Sequence, residues 1–306
     1  MSSNQDAPTT WLQLRFVCDA DTAAELAECL SECGALAVSL ADAKDEPLYE
    51  PPPGSTPLWS DTQVCGLFPH LQDHAPLLAE LARRMAPGRL PPATLQVLED
   101  RAWVQSFQDA CEPVCFGERL WVVPSWAPAP TMKAGQARLS LDPGLAFGTG
   151  SHPTTAMCLE WLAAEQVAGR EVVDYGCGSG ILALAAAALG ARRVWAVDTD
   201  PQALAATRQN ATMNRLAERL QVHDPQSLPS LTADLVVSNI LANTLSGLAG
   251  TLSALLRPGA RLALAGILGA QAEQVLTSFA PWCAMRRAAE RDGWVLLTGI
   301  RDRPGA

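Results

Sequence analysis

The most constraining feature of the sequence is a glycine-rich turn between an apolar strand and an apolar helix. Its residues, DYGCGSG, run from Asp174 to Gly180, after the strand residues Val172 and Val173 and before a helix predicted over 181–189. Glycines at alternate positions permit a tight turn and let a ligand come close to the backbone. The turn therefore predicts an α/β sheet that binds a ligand where one of its strands ends.

Beyond this turn, segments of strand length and segments of helix length alternate along the chain. Strands are predicted at 194–197, 220–223, 235–237, 261–265 and 294–298, and helices at 201–214, 244–256 and 271–279. The strands are apolar on both faces, which is typical of a parallel sheet covered by helices. This half of the chain is therefore predicted to be a doubly wound α/β domain.

The first hundred residues follow a different order: strand, helix, strand, strand, helix, strand. The strands are predicted at 11–18, 35–40, 63–68 and 94–98, and the helices at 19–33 and 75–85. This order is the split βαβ pattern of ferredoxin-like α+β domains. The region has no catalytic constellation, and its open-faced sheet is suited to holding a partner. A helix is expected over 100–115, then a strand over 118–123 and a Pro/Ala-rich segment over 124–136.

An acidic residue at the end of the next strand narrows the class of ligand. Asp198 lies 22 residues after Gly176, where a carboxylate can accept both ribose hydroxyls of an adenosine ligand. The dinucleotide fingerprint Gly-x-Gly-x-x-Gly fails, because the sixth residue counted from Gly176 is Ile181. A nicotinamide dehydrogenase is therefore disfavoured.

A polar residue also ends the strand predicted at 235–237. Asn239 follows this buried strand, and ligand crevices of open α/β sheets lie beyond the carboxyl ends of the strands. Enzymes that methylate a flipped base place Asn/Asp-Pro-Pro-aromatic here, so that the ring stacks on the base. This chain has Asn-Ile-Leu-Ala instead, which favours an aliphatic amine as the acceptor. Asn239 is thus the candidate catalytic residue.

The segment LDPGLAFGTGSHPTT, residues 141–155, precedes the first strand of the α/β domain and leads into a helix. Its three glycines predict a mobile lid over the ligand, and Phe147 is the aromatic residue of that lid. Thr154 and Thr155 offer hydroxyls at a helix N-terminus, where a carboxylate binds well. His152, in the same segment, is expected to be a capping or solvent-facing residue rather than a catalytic base.

Composition excludes several other functions. The net charge of −10 disfavours general nucleic-acid binding, which depends on neutralising phosphates. No apolar run approaches the ~20 residues that span a bilayer, and the N-terminus has no signal-peptide pattern. The only two lysines, Lys44 and Lys133, lie outside any P-loop motif. The nine cysteines have no zinc-like spacing, so we expect reduced thiols and no metal.

Three strings together resemble the ribosomal protein L-eleven methyltransferase (PrmA) family of class I S-adenosylmethionine-dependent methyltransferases. They are LDPGLAFGTGSHPTT from Leu141, DYGCGSGIL from Asp174 and SNILA from Ser238. The likeness extends to YEPPPG from Tyr49 and FGERLW from Phe116, so it covers nearly the whole chain. The chain departs mildly from the family, because Ser238 occupies a position where many members have alanine.

The resemblance implies a fold, a domain organisation and an activity. It implies a Rossmann-like seven-stranded sheet in a methyltransferase domain, residues 131–306. A flexible linker, 100–130, joins it to a ferredoxin-like substrate-recognition domain, 1–99. The implied activity is methyl transfer from S-adenosylmethionine to lysine side chains and the N-terminal amine of one large-subunit ribosomal protein, L-eleven.

The family's cofactor contacts map onto four positions of this chain, Thr155, Gly176, Asp198 and Asn239. We also expect Gly178 and Phe147 to contact the cofactor. The protein is further expected to be a cytoplasmic monomer that needs no direct contact with nucleic acid or membrane. Two other functions stay open: a class I methyltransferase acting on another protein amine or a small molecule, and a non-catalytic protein that senses the cofactor.

Overall fold

The computed structural model describes residues 10–44, 57–69, 73–99, 112–142 and 152–302. The chain divides into two compact units, Met1–Ala110 and Cys111–Ala306. Within the described ranges, no helix is long and apolar enough to cross a membrane.

The N-terminal unit is a four-stranded antiparallel sheet with two helices. Its elements are β1 (Thr10–Cys18), α1 (Ala20–Glu32), β2 (Ala37–Asp42), β3 (Thr62–Pro69), α2 (Ala75–Arg84) and β4 (Thr94–Glu99). The strand order is β2-β3-β1-β4, and every neighbouring pair is antiparallel. The predicted ferredoxin-like order of elements is therefore confirmed.

Alternation along β1 explains how this unit folds. Leu12, Leu14 and Phe16 lie on one face of the strand and are buried in a core shared with α1. The side chain of Asp19 caps α1 by accepting the Thr22 N–H at 2.8 Å. Apolar residues at every second position of β1, followed directly by an N-capped segment with apolar residues at helical spacing, thus specify a strand–helix unit.

The second unit contains a seven-stranded sheet and a small three-stranded sheet. Its strands are β5 (Val114–Phe116), β6 (Leu120–Val123), β7 (Ala137–Ser140), β8 (Glu171–Tyr175), β9 (Arg193–Val197), β10 (Leu220–His223), β11 (Ala233–Asn239), β12 (Leu256–Leu268), β13 (Cys283–Arg291) and β14 (Trp294–Arg301). Its helices are α3 (Pro153–Ala164), α4 (Ile181–Ala188), α5 (Pro201–Met213), α6 (Ala242–Gly247), α7 (Ala249–Ala254) and α8 (Ala272–Phe279).

The large sheet has the order β10-β9-β8-β11-β12-β14-β13. The first five strands are parallel, whereas β14 is antiparallel to both β12 and β13. Its strand order reverses direction between β8 and β11, which is where such sheets bind ligands. One apolar core includes residues of α3 and α4, and a second includes residues of α6, α7 and α8. The predicted seven-stranded Rossmann-like sheet is confirmed.

The region after β4 differs from the sequence prediction. A helix was expected over 100–115, but Val114 and Cys115 lie in β5 and pair with β6, while residues 100–111 lie outside the described ranges. Residues 112–130, expected to be part of the linker, lie in the second compact unit. Pairing in a local antiparallel hairpin overrides the helical spacing here.

Three further elements differ from the prediction. The helix expected over 244–256 is divided into α6 and α7, and β12 already begins at Leu256, which pairs with Ala233. The Arg-Pro-Gly segment lies inside β12 instead of ending a helix, with Gly259 at a φ of 80°. β13 was not predicted, because it is a mostly exposed edge strand without apolar alternation.

Ion pairs join the amino ends of β8 and β11, at the opposite edge of the sheet from the glycine turn. Arg257 contacts the carboxylates of Glu171 and Asp234, and Arg192 contacts Glu171 at 2.7 Å. The Asp234 carboxylate also accepts the Glu171 N–H at 2.8 Å. Because Glu171 is nearly buried, this pairing compensates a charge that the strand would otherwise bury alone.

Candidate active site

The sheet register brings three predicted site residues to one edge. Tyr175, the last residue of β8, pairs with Val197 of β9, so Gly176 and Asp198 each follow a paired residue. Val237 of β11 pairs with Asp174, which places Asn239 two residues further along the same face. Gly176, Asp198 and Asn239 therefore lie beside the carboxyl ends of three adjacent parallel strands.

The glycine turn has a backbone that other residues rarely adopt. The φ angles of Gly176, Gly178 and Gly180 are 82°, 54° and 82°. A Cβ at position 176 would lie 2.2 Å from Cγ2 of Ile240, and one at position 180 would lie 2.8 Å from Thr207. Glycine is thus required at the first and third positions by backbone conformation and by close neighbours.

Hydrogen bonds from α5 and β9 hold the turn in place. The N–H groups of Gly176 and Cys177 both donate to the Val197 carbonyl, at 2.7 and 3.0 Å. The Thr207 hydroxyl donates to the Gly178 carbonyl at 3.0 Å, and Asn210 Nδ2 donates to the Ser179 carbonyl at 2.8 Å. These bonds preorganise the turn without any ligand.

Asp198 closes the other side of the turn. Its Oδ2 accepts the Gly178 N–H at 2.9 Å, and its Oδ1 accepts the Asp200 N–H at 3.0 Å. The residue is only partly buried. Each carboxylate oxygen has further lone pairs, so Asp198 can accept hydroxyl donors from a ligand while it keeps the turn closed.

Asn239 and Thr155 are joined by a hydrogen bond across the chain. Asn239 Nδ2 donates to Thr155 Oγ1 at 3.1 Å, although the two residues are 84 positions apart. Thr155 is buried near the start of α3, and Asn239 is half-buried at the end of β11. Since the amide nitrogen is engaged, the amide oxygen Oδ1 is the group of Asn239 that can accept a hydrogen bond from a substrate.

His152 has the capping role that the sequence predicts. It is the N-cap of α3, and its Nδ1 accepts the Thr154 N–H at 3.3 Å and lies 2.7 Å from the Thr154 hydroxyl. Its ring packs edge-on against Trp294 with centroids 5.1 Å apart. Burial lowers its pKa, so the ring is neutral near pH 7. Phe147 and most of the predicted lid lie outside the described residues.

Asp174, two residues before Gly176, is completely buried. Its Oδ2 accepts the Ala183 N–H from the first turn of α4 at 2.9 Å. Within the described part of the chain, its Oδ1 has no hydrogen-bond partner. Desolvation, with a smaller effect from the nearby Asp198 charge, raises the pKa of Asp174 to about 7.

Ile240 is a residue of this site that the sequence analysis did not identify. Its side chain reaches over Gly176, and a Cβ on Gly266 would lie 2.4 Å from the Ile240 carbonyl oxygen. Gly266 has a φ of 82° at an irregularity in the pairing of β12 with β14. Two distant glycines thus make room for the segment after Asn239. Gly266, directly after the strand predicted at 261–265, was the only available signal in the sequence.

The arrangement suits a ligand with a cationic end and a diol. Asp198 offers free lone pairs at a partly exposed position, and the unpartnered Oδ1 of Asp174 lies beneath the turn. The glycine turn exposes backbone between them. The described residues contain no cluster of three or more His, Cys, Asp or Glu side chains able to hold a metal ion.

The strand order and the crevice beside the glycine turn define a class I S-adenosylmethionine-dependent methyltransferase. A profile described as "Ribosomal protein L11 methyltransferase (PrmA)" matches residues 10–302. The chain therefore belongs to the ribosomal protein L11 methyltransferase (PrmA) family.

Individual relatives agree with this assignment. A protein of Marinobacter nauticus named ribosomal protein L11 methyltransferase is 50% identical over 295 residues, covering 95% of this chain and 98% of its own. A protein of Azotobacter vinelandii with the same name is 48% identical over 292 residues, covering 95% of this chain and 99% of its own. The crystal structure of a ribosomal protein L11 methylase from Lactobacillus delbrueckii subsp. bulgaricus matches with a TM-score of 0.54 and 29% identity, covering 63% of this chain and 100% of that one.

Proposed function

We propose that this enzyme transfers methyl groups from S-adenosylmethionine to lysine side chains and to the N-terminal amine of ribosomal protein L11. The names of its relatives support the protein substrate. The observation that carries the proposal is the bond between Asn239 and Thr155, which fixes an amide oxygen at the carboxyl edge of the sheet, where the glycine turn begins.

The cofactor contacts are proposed for the residues that converge on this edge. Gly176 and Gly178 are assigned to the methionine end of the cofactor, and Asp198 to its ribose hydroxyls. Thr155 and Asn239 are assigned to the side of the reacting methyl group. Phe147 is proposed as the ring of a lid over the cofactor, on the strength of its sequence alone. The cofactor supplies an electrophilic methyl group on a sulfonium centre.

The acceptor must lose a proton before it can act as a nucleophile. A lysine side chain, with a reference pKa near 10.4, is neutral only about once in a thousand molecules at pH 7.5, whereas an α-amine near 7.7–8.0 is neutral about a third of the time. A dry pocket favours the neutral amine, because desolvation destabilises the ammonium form. No general base is needed for this step, and His152 is already engaged as a helix cap.

Asn239 is proposed to aim the amine. Its Oδ1 accepts one amine N–H, because its Nδ2 is bound to Thr155. Accepting that hydrogen bond turns the nitrogen lone pair toward the methyl group, which is a positioning effect. A flipped base as acceptor would require an aromatic ring near Asn239 for stacking. Instead, Ala242 is buried at the first turn of α6.

The N-terminal ferredoxin-like unit, 1–99, is proposed to recognise the ribosomal protein. The linker expected over 100–130, whose residues 112–130 belong to the second compact unit, is proposed to contain a hinge that lets one active site reach several amines. The enzyme is proposed to act in the cytoplasm as a monomer that needs no nucleic acid or membrane. Scattering profiles with and without the partner test the hinge. One unchanged rigid profile would contradict it.

A methylation assay tests the function directly. The enzyme is incubated with radiolabelled S-adenosylmethionine and purified ribosomal protein L11, and labelled positions are located by mass. Label on lysine side chains and on the N-terminal amine is expected. Label on another ribosomal protein only would identify a different acceptor, and no transfer to any protein would contradict the proposal.

Asn239→Ala should reduce the rate of methyl transfer by about 10²–10³-fold, the cost of a lost orienting contact. Thr244→Ala, five residues away on α6, is the matched control, because Thr244 is an exposed residue of that helix. Cofactor affinity and melting temperature are measured for both. Turnover by Asn239→Ala equal to that of the control would remove Asn239 from the mechanism.

A further inference from the structure

The carboxyl group of Asp174 is buried without a compensating charge. Every salt bridge found in the described part of the chain is formed by other residues, and the only bond to this carboxyl is the Ala183 N–H of α4. The titratable groups that face it are the thiols of Cys158 on α3 and Cys177 in the turn, and the carboxylate of Asp198. Burial raises the pKa of both thiols, so neither supplies charge near pH 7.

The position of this carboxyl relates it to the methyl donor. Asp174 pairs with Val237 on β11 and with Ala196 on β9. It thus lies one pleat, about 7 Å, below the level of Asn239 and Asp198. The donor carries a sulfonium and an α-ammonium group, so binding in this crevice brings positive charge toward an acid that has no cation of its own.

We propose that Asp174 is a positioning residue, protonated in the free enzyme, that ionises when the methyl donor binds and so releases one proton to solvent. The O–H bond of the carboxyl breaks, the proton goes to the buffer, and the carboxylate becomes the counter-charge of the donor. This inference rests on the assignment of S-adenosylmethionine as the ligand of the crevice. The unpartnered Oδ1 and the complete burial are its structural basis.

The pH dependence follows from the direction of the shift. Burial raises the pKa of Asp174 to about 7 in the free enzyme, and a nearby cation lowers it on binding. Proton release is therefore largest below pH 7 and disappears above about pH 8, where Asp174 is already ionised. Affinity for the donor should rise with pH over the same interval, because fewer enzyme molecules then carry a proton on Asp174 that binding has to remove.

Calorimetric titration of the full-length enzyme with S-adenosylmethionine at pH 6.5 tests the proton release. The titration is repeated in buffers of different ionisation enthalpy, because the heat of binding then reports how many protons the buffer takes up. The α-amine of the donor, with a pKa of about 7.7–8.0, is protonated at this pH and exchanges no proton as a bound ammonium. The wild type should release a measurable fraction of a proton per donor, and that fraction should fall as the pH is raised. Asp174→Asn should release none.

His152→Asn is the control for another titrating group beside the crevice, and it should release the same amount as the wild type. Heat that does not depend on the buffer in the wild type would overturn the inference. Equal release by Asp174→Asn would do so too. Both results would leave the assignment of the ligand intact, because the same titration measures donor binding itself.

A second measurement needs no variant. Infrared difference spectra of the wild type, with and without S-adenosylmethionine at pH 6.5, should show the loss of a protonated-carboxyl band on binding. An unchanged band would contradict the proposal even if Asp174→Asn fails to fold.

Discussion

At the scale of single residues, the site depends on close approaches that only glycine permits. Ile240 occupies the space that a side chain at position 176 would need, and its own backbone lies against Gly266. The residue after the candidate catalytic asparagine is thereby wedged between two glycines. This steric arrangement sets the direction in which Asn239 leaves its strand.

Gly176→Ala should abolish detectable cofactor binding and lower the melting temperature, because the new Cβ would meet Ile240 at 2.2 Å. Gly169→Ala is the matched control: its φ of 76° is similar, but no atom lies within 4 Å of the added Cβ. A Gly176→Ala, Ile240→Ala double variant should regain part of the stability. If Gly176→Ala binds the cofactor as tightly as Gly169→Ala does, the contact with Ile240 does not determine cofactor binding.

At the scale of elements, α5 supports the turn through two polar side chains. Thr207→Val removes the hydroxyl that donates to Gly178 and leaves that carbonyl unbound, at a cost of about 1–3 kcal/mol. We expect weaker cofactor binding by about ten-fold. Thr212→Val on the same helix is the control, since its hydroxyl donates to the Arg208 carbonyl of that helix. Equal cofactor affinities in calorimetry would contradict a supporting role for Thr207.

The ion pairs at the amino ends of β8 and β11 should act on stability alone. Arg257→Ala leaves Glu171 with Arg192 as its remaining partner and Asp234 without its ion pair. Because Arg257 is well exposed, we expect a loss of only about 1–2 kcal/mol in the free energy of unfolding. Urea denaturation measures this loss, and kcat should be unchanged. A fall in kcat at full stability would show that these pairs influence the active site.

The order of elements was predictable from the sequence, whereas several boundaries were not. Alternation in β1 and the capped start of α5 at Asp200 gave the correct elements, because local pattern and tertiary packing agree there. The edge strand β13 forms a tight hairpin with β14, but its exposed residues show no apolar alternation. The early start of β12 depends on tertiary pairing of Leu256 with Ala233 of β11. For the same reason, the glycine turn was identifiable but its wedge, Ile240, was not.

At the scale of the whole molecule, the two compact units should respond differently to the cofactor. The crevice lies within the second unit, so S-adenosylmethionine should raise the stability of that unit by about 2.7 kcal/mol at a hundred-fold excess over Kd. Differential scanning calorimetry should show one transition that shifts with cofactor and one that does not. Equal shifts of all transitions would contradict independent units.

A crystal structure of the enzyme with S-adenosylmethionine tests the central claim most directly. The methionine end should lie along Gly176 and Gly178, the ribose hydroxyls should bond to Asp198, and the sulfonium methyl group should face Oδ1 of Asn239. A donor bound elsewhere, or bound here with its methyl group directed away from Asn239, would contradict the account.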